Sequence, residues 1–349
     1  MSTAPDLDPV GADPVVADEL LETGADLRVR GKRARWVVRR LILAVLTLFV
    51  VSLIVFAATQ LLPGDAAQAI AGRSGTPERV QELRKELNLD RSAVSQYVDW
   101  ITGFVHGDLG PSVAANEPVS SVLGAKIVNT LLLVVFAALI TLPLSVVIGV
   151  WAAVRRDRPF DKAFQVLSLV LNAVPDFVVG LLLAVVFATT VWTVLPAVSL
   201  IPAGTSPLSH LDVFVLPVAT LVLVCVPYLA RLVRASMIDV LESEYVQLAR
   251  LKGLPEREVR YRHALLNALV PAIQGSAQVL AYMAGGIVLV EYVFAFPGLG
   301  AKLVEAVQLR DLATIQAATL MLAAFYILVN LVADLLTVVV TPKLRTEGL

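Results

Sequence analysis

Cysteine is almost missing from this chain: its 349 residues hold one, Cys225, inside an apolar run. A single thiol excludes a disulfide within the chain and a cysteine metal cluster. Histidine is scarce too, and His106, His210 and His263 lie in different loops, so a metal-dependent or histidine-triad enzyme lacks its raw material. No P-loop run of the form GxxxxGK followed by Ser or Thr occurs, and neither HExxH, GxSxG nor a pair of intramembrane aspartates is present. ATP binding by that loop and intramembrane hydrolysis therefore have no visible residues. Charge is thin as well, at 16% against 57% hydrophobic residues, with a mean hydropathy of +0.78. Such a balance is far too apolar for a soluble domain and describes a polytopic, all-α membrane protein. The net charge of −1 says nothing about partners by itself, because in such a protein the distribution of charge matters. No nucleic-acid partner is indicated.

Residues 1–27 carry seven acids and no base, which predicts a disordered acidic tail. From Arg28 the sign flips, and a collar of seven bases ends at Arg40, so 1–35 reads as a cytoplasmic tail, acidic and then basic. The first span, 36–62, is too long for a cleaved signal peptide. The polar stretch 63–125 contains a helix start at Thr76-Pro77-Glu78 and a second apolar-faced helix over Val94–Phe104, which together suggest a small helical extracytoplasmic cap. Five more spans are expected over Ile127–Val154, Ala163–Val194, Val213–Val233, Val270–Phe294 and Ala313–Val340, within a membrane core of 126–345. Of the 28 Lys and Arg residues, 20 fall on the side of the N-terminal collar and 8 on the other. That bias places both termini in the cytoplasm.

The densest polar island is Glu242–Pro271, in a cytoplasmic loop of 235–269. Ile238, Leu241, Tyr245, Leu248 and Ala249 recur at the spacing of one helical face. Gly253 is suited to end that helix and Pro255 to begin the next, giving a helix, a corner and a second helix. The apolar edge of such a loop has no membrane to bury it, so a partner protein is one answer. Within the spans, Asp176 after Pro175 is the deepest acid; it either lines a water-filled pathway or is paired near a helix break. Glu291 and Asp334 sit closer to span ends and read as structural pairs or interface anchors, with Glu291 also a candidate for the pore or gate. Ala281, Ala284, Gly285 and Gly286 permit close helix approach, either within one subunit or at an interface or gate.

These residues resemble a specific family. Glu244-Tyr245-Val246, Ala249-Arg250, Lys252-Gly253-Leu254, His263-Ala264, Asn267-Ala268-Leu269 and Pro271 are similar to the cytoplasmic loop of ABC importer permeases of the dipeptide, oligopeptide and nickel branch. The broader importer motif, Glu-Ala-Ala three residues before a Gly, is met only at Ala249 and Gly253, since Gln247 and Leu248 fill its first two positions. The likeness extends to Leu62-Pro63-Gly64-Asp65, to GDLGPS over 107–112, to Asn129-Thr130-Leu131, to EYVFAFPGLG over 291–300, to Arg310-Asp311 and to Asn330–Asp334. Thr341-Pro342-Lys343 replaces the usual Asp-Pro-Arg ending.

The resemblance implies a type I importer permease fold of six transmembrane helices, embedded in the lipid of a bacterial inner membrane. It implies a non-enzymatic subunit that binds no cofactor, with ATP and Mg held by two cytoplasmic ATPase subunits or domains. A second, homologous permease and an extracytoplasmic substrate-binding protein are the other expected partners. The helix around Glu244–Lys252 is expected to dock on the ATPase, with Tyr245, Ala249, Arg250, Gly253, Leu254, His263, Asn267 and Pro271 shaping the coupling loop; Asp176, Gly285, Gly286 and Glu291 are the pore or gate candidates. Short peptides are the expected cargo, with nickel or another small solute as the alternative. An ion-coupled secondary transporter would need an inverted repeat and a mid-membrane ion site, and neither is visible. A membrane scaffold or receptor without transport is the remaining class.

Overall fold

Prolines and glycines set the helix boundaries. The computed structural model describes residues 14–61, 76–86, 91–202 and 204–340, and the side chains of 14–34, 79, 83–86, 333 and 336–340 are outside that description. The sequence motifs at Leu62–Asp65 and Thr341–Lys343 fall outside it too, as do residues 1–13 of the acidic tail. Helix α1 runs over Pro14–Leu61. The tail expected to be disordered is therefore helical from Pro14 onward: Pro suits the first helical position, and the Ala, Glu and Leu residues that follow are strong helix formers.

Two short helices follow, α2 over Pro77–Glu86 and α3 over Ala93–Val105. Ser92 caps α3 by accepting from the Ser95 amide. The aromatic face of α3 lies on the first span: Tyr97 and Trp100 sit 5.4 and 5.9 Å from Phe56, and Tyr97 shares a 2.7 Å hydrogen bond with Ser52. A two-residue antiparallel ladder, β1 Pro111–Ser112 with β2 Glu117–Pro118, leads into α4, Val119–Val154.

The third span departs from expectation. In place of one helix over 163–194, there are two, α5 over Pro159–Ala173 and α6 over Asp176–Thr189, bent by 104°. The steric clash of a proline ring with the residue before it drives Val174 out of the helical region, to φ −94 and ψ 130. Pro175 then fills the N-cap position of α6, so it separates two helices where it was expected to be absorbed within one.

Helix α7 spans Asp212–Leu241, α8 Glu244–Leu251, α9 Glu256–Val293, α10 Leu299–Leu309 and α11 Leu312–Val340. The face read from Ile238 to Ala249 is not one helix, because Ser243 adopts extended backbone (φ −68, ψ 151) between α7 and α8. Ser243 stands at the N-cap with its hydroxyl donating back to the Val240 carbonyl at 2.5 Å, and the Gln247 amide donates to the Ser243 carbonyl to open the new helix. The second helix of the island, in turn, is not separate from the fifth span. It is the first part of α9, and a π-helical stretch over Val259–Ala264 joins the two without a break. Counted by length and composition, five helices can cross a membrane, or six with the α5–α6 pair taken as one.

Helix α7 is the axis of the bundle, packed against α4, α5, α6 and α9. Its apolar stretch is 78% buried, against 11% in α1, which packs outside on α11. The main core gathers Leu133, Leu221, Leu229, Met283 and Ile287, all buried. Phe214 closes it between Phe136 and Phe296, edge to face at 5.3 and 5.0 Å. The prolines inside α4 and α7 (Pro143, Pro217, Pro227) do not interrupt those helices, as expected where neighbouring helices surround them. Helix α1 is tied to α11 by Gln316 donating to Thr59 at 2.7 Å and by the Arg40–Asp334 ion pair at 2.7 Å.

Candidate functional site: a braced corner, a bent span and a buried carboxylate

The corner after α8 is closed by its own backbone. Gly253 has φ +77, which a side chain would oppose, and its amide reaches the Arg250 carbonyl at 2.9 Å while the Leu254 amide reaches Ala249 at 3.3 Å. These two bonds are the Schellman arrangement that ends a helix. Lys252 is its exposed C-cap residue. Side chains then brace the turn: Arg250 pairs with Glu256 across the corner at 2.8 Å, and Asn267 of α9 donates to the Tyr245 hydroxyl at 3.0 Å and to the His263 carbonyl at 3.1 Å. Pro271, half-buried, lies one turn further along α9.

Helix α8 has two apolar sides. Val246 and Ala249 are buried in a second core with Val150, Val233, Met237, Val259 and Ala264. On the outside, Tyr245, Leu248 and Leu251 are 43%, 56% and 83% exposed at a spacing of three residues, which puts them along one face. Glu244 is exposed in the first turn. The corner therefore presents an apolar stripe while its other side is fixed to the bundle.

An ion pair that sequence reading missed joins this region to the bent span. Arg234 of α7 grips Asp161 of α5 through two nitrogens, at 2.5 and 2.6 Å, and the Asp157 amide adds a third bond at 2.9 Å. Asp161 is fully buried. Both residues fall just outside the spans expected from hydropathy, Ala163–Val194 and Val213–Val233; the signal available was Arg234 itself, a guanidinium that continues an apolar helix and needs a partner.

At the bend, Asp176 sits in the first turn of α6 and accepts from the Tyr282 hydroxyl of α9 at 2.7 Å. Gly286 is what lets them meet, since a Cβ there would stand 2.7 Å from the Asp176 carboxylate. Tyr282 also lines a cavity of about 350 Å³ with Asn172, Cys225, Tyr228 and Gln278. The structure thus brings together two of the four pore candidates, Asp176 and Gly286. Gly285 faces outward with nothing near it.

Glu291 lies elsewhere, fully buried at the opposite end of the bundle from the corner. Its carboxylate accepts from the Thr130 hydroxyl at 2.5 Å and from the amides of Gly300 and Ala301 at 2.7 and 3.2 Å. This is a carboxyl group seated on the N-terminal turn of α10, accepting from amides that have no partner within that helix. A Cβ at Gly298 would collide with that carboxylate. Thr130 also accepts from the Leu299 amide at 2.8 Å, and Asn129 donates to the Pro297 carbonyl at 2.8 Å. The Asn129-Thr130 and EYVFAFPGLG motifs are thus one joint. Nearby, Asp311 accepts from Ser112 at 2.5 Å and from Thr314 at 2.7 Å, so the GDLGPS and Arg310-Asp311 motifs meet as well.

These features describe a helical protein with five or six helices or helix pairs long and apolar enough to cross a membrane, a braced corner, and no cluster of metal-ligating residues among the described residues. Comparison with known proteins agrees. Residues 145–346 match the family described as binding-protein-dependent transport system inner membrane component, and residues 33–137 match its N-terminal region. A Brucella abortus protein named "Putative peptide transport system permease protein" is 36% identical over 312 residues, covering 89% of this chain and 99% of the relative. The glutathione transport system permease protein of Escherichia coli K12 is 34% identical over 311 residues, covering 89% and 98%. A Sinorhizobium fredii protein named as a probable peptide ABC transporter permease is 34% identical over 312 residues, covering 89% and 99%. The chain belongs to the family of binding-protein-dependent transport permeases. It is a multi-pass inner-membrane subunit of an ABC importer, itself non-catalytic and without a cofactor, in a family that acts with ATPase and binding-protein partners.

Proposed function

We propose that this chain forms half of the pore of an importer of short peptides, with a second, homologous permease supplying the other half. Both termini and the α8 corner face the cytoplasm, where Tyr245, Leu248 and Leu251 seat in a groove on one of two ATPase subunits. The region over 63–125 faces the opposite side and receives the binding protein. Domain limits follow: a cytoplasmic tail to 35, a first span to 62, the cap to 125 and a core to 345 with its coupling loop at 235–269.

The exposed apolar stripe on α8 carries this reading. An exposed stripe on a braced helix is expensive in water unless a partner covers it. The bracing supports a role in force transmission, because a helix fixed by Ala249, Gly253 and the Arg250–Glu256 pair cannot absorb a push by flexing. At the bend, Asp176, Tyr282 and Gly286 form the gate, and the neighbouring cavity, whose wall includes Leu171, Val224 and Val279, belongs to the cargo path. Peptide cargo is favoured by the relatives named for peptide and glutathione transport. Leu248→Glu tests the docking. In membranes carrying the whole importer, the variant permease is expected to insert normally while binding-protein-stimulated ATP hydrolysis and labelled dipeptide uptake fall together, by roughly tenfold or more as expected for burying an unpaired charge at an interface. Normal uptake by this variant would place the ATPase contact elsewhere.

A further inference from the structure

A groove of about 650 Å³ opens at the corner end of the bundle, between α4, the connection from α4 to α5 and the first turns of α9. Its two walls differ in kind. Val147, Val150, Trp151 and Val154 follow one another at helical spacing along α4, so one wall is an apolar stripe that runs up the span. Arg155, Arg158 and Arg260 stand at its mouth. The Arg155 guanidinium lies over the Trp151 ring at 4.7 Å, which fixes a cation at the junction of the two surfaces.

The charge at this mouth is balanced by the protein only in part. Arg156 is held by Glu242 and by Asp157, and Arg260 by Glu256 at 3.1 Å. Among the described residues neither Arg155 nor Arg158 forms an ion pair, and Arg158 is exposed. A free phosphate would use these two cations and ignore the stripe. An acyl chain alone would use the stripe and gain nothing from the cations. Trp at such a boundary suits the headgroup layer, where one part of the ring is wet and the rest apolar.

We propose that this groove is a binding site for one anionic phospholipid. Its phosphate is held by Arg155 and Arg158, and one acyl chain lies along Val147, Val150 and Trp151. The site takes its lipid from the leaflet on the corner side, which is the anion-attracting side if that end is cytoplasmic as proposed above. Since Arg260 and Tyr261 of the groove belong to the start of α9, the lipid rests against the same helix that carries the far side of the coupling corner.

The test uses the purified full chain in detergent micelles, titrated with phosphatidylglycerol, with phosphatidylcholine of identical acyl chains and with glycerol 3-phosphate, and read by native mass spectrometry. One phosphatidylglycerol is expected to be retained in preference to phosphatidylcholine. The R155Q/R158Q variant should lose that preference by roughly thirtyfold, the scale of two basic contacts to an anionic surface, while its thermal midpoint stays at the wild-type value. Equal retention of the two lipids, or unchanged retention in R155Q/R158Q, would overturn the site. Glycerol 3-phosphate binding as tightly as the lipid would overturn the role of the stripe.

Discussion

The Asp161–Arg234 pair allows a prediction with a worked magnitude. Asp161→Ala leaves the Arg234 guanidinium, only 15% exposed, with no carboxylate against it, and it also strips the Asp157 amide of its acceptor. Removing one partner of a buried pair costs about 3–5 kcal/mol in general. The partial exposure of Arg234 argues for the lower end, and the orphaned amide adds about 1 kcal/mol, so the net expectation stays at about 3–5 kcal/mol. Replacing both residues should be far milder, because apolar side chains of similar volume often substitute for a buried pair at little loss. The assay is the thermal midpoint of the purified permease in one detergent, followed by fluorescence-detected size exclusion, for wild type, Asp161→Ala, Arg234→Met and the double variant Asp161→Leu with Arg234→Met. Both single variants should lose several degrees and the double variant should recover most of that loss. A double variant as unstable as either single one would refute the reasoning, since the stranded charge would then not be the source of the effect.

Two further outcomes follow from the same geometry. Gly253→Val forces a β-branched residue to φ +77, where the left-handed conformation costs about 1–2 kcal/mol even for ordinary side chains; the Schellman turn should open, and limited trypsin digestion should cut at Arg250 or Lys252 faster than in wild type, so an unchanged rate counts against the corner. Glu291→Ala removes the acceptor of Thr130, Gly300 and Ala301 together, each buried donor being worth about 1–3 kcal/mol when left unpaired. Deuterium exchange over 299–309 should accelerate, and an unchanged exchange profile would show that α10 does not depend on this carboxylate.

Much of the fold was legible because the features that specify it are local. A run of apolar residues long enough to cross a bilayer is visible in any window, and the corner announced itself through Gly253 and Pro255, whose backbone preferences act on their own neighbours. Ser243 and Pro175 were equally local signals with a different outcome, since each breaks a helix that hydropathy alone would run through. What could not be read was pairing at a distance. Asp161 and Arg234 are 73 residues apart, and Thr130 and Glu291 are 161 apart. No periodicity reports which helix faces which, so Glu291 could be read as a structural pair or as a pore acid, but its partners Thr130, Gly300 and Ala301 could not be named. Gly285 and Gly286 show the same limit on a smaller scale: adjacent in sequence, they point to different surroundings, and only Gly286 touches Asp176.

These distant pairs also bear on how a push at α8 could reach the bend. Helix α8 is packed by Val246 and Ala249 onto the end of α7, and α7 contains no glycine that would let it fold on itself. Two turns before its end, Arg234 clamps the first turn of α5 with a planar, two-point grip that resists rotation as well as separation. Helix α5 then runs without interruption to Ala173, where the backbone leaves helical geometry at Val174. A displacement entering at the corner would pass along stiff elements as far as that point. Pro175 has its φ held by its ring, so the change would fall on the torsions of Val174, next to Asp176 and its bond to Tyr282. If the gate lies at Asp176 as proposed, the fold places the non-helical Val174 beside it, and the buried ion pair is the contact through which α7 holds the helix that leads there.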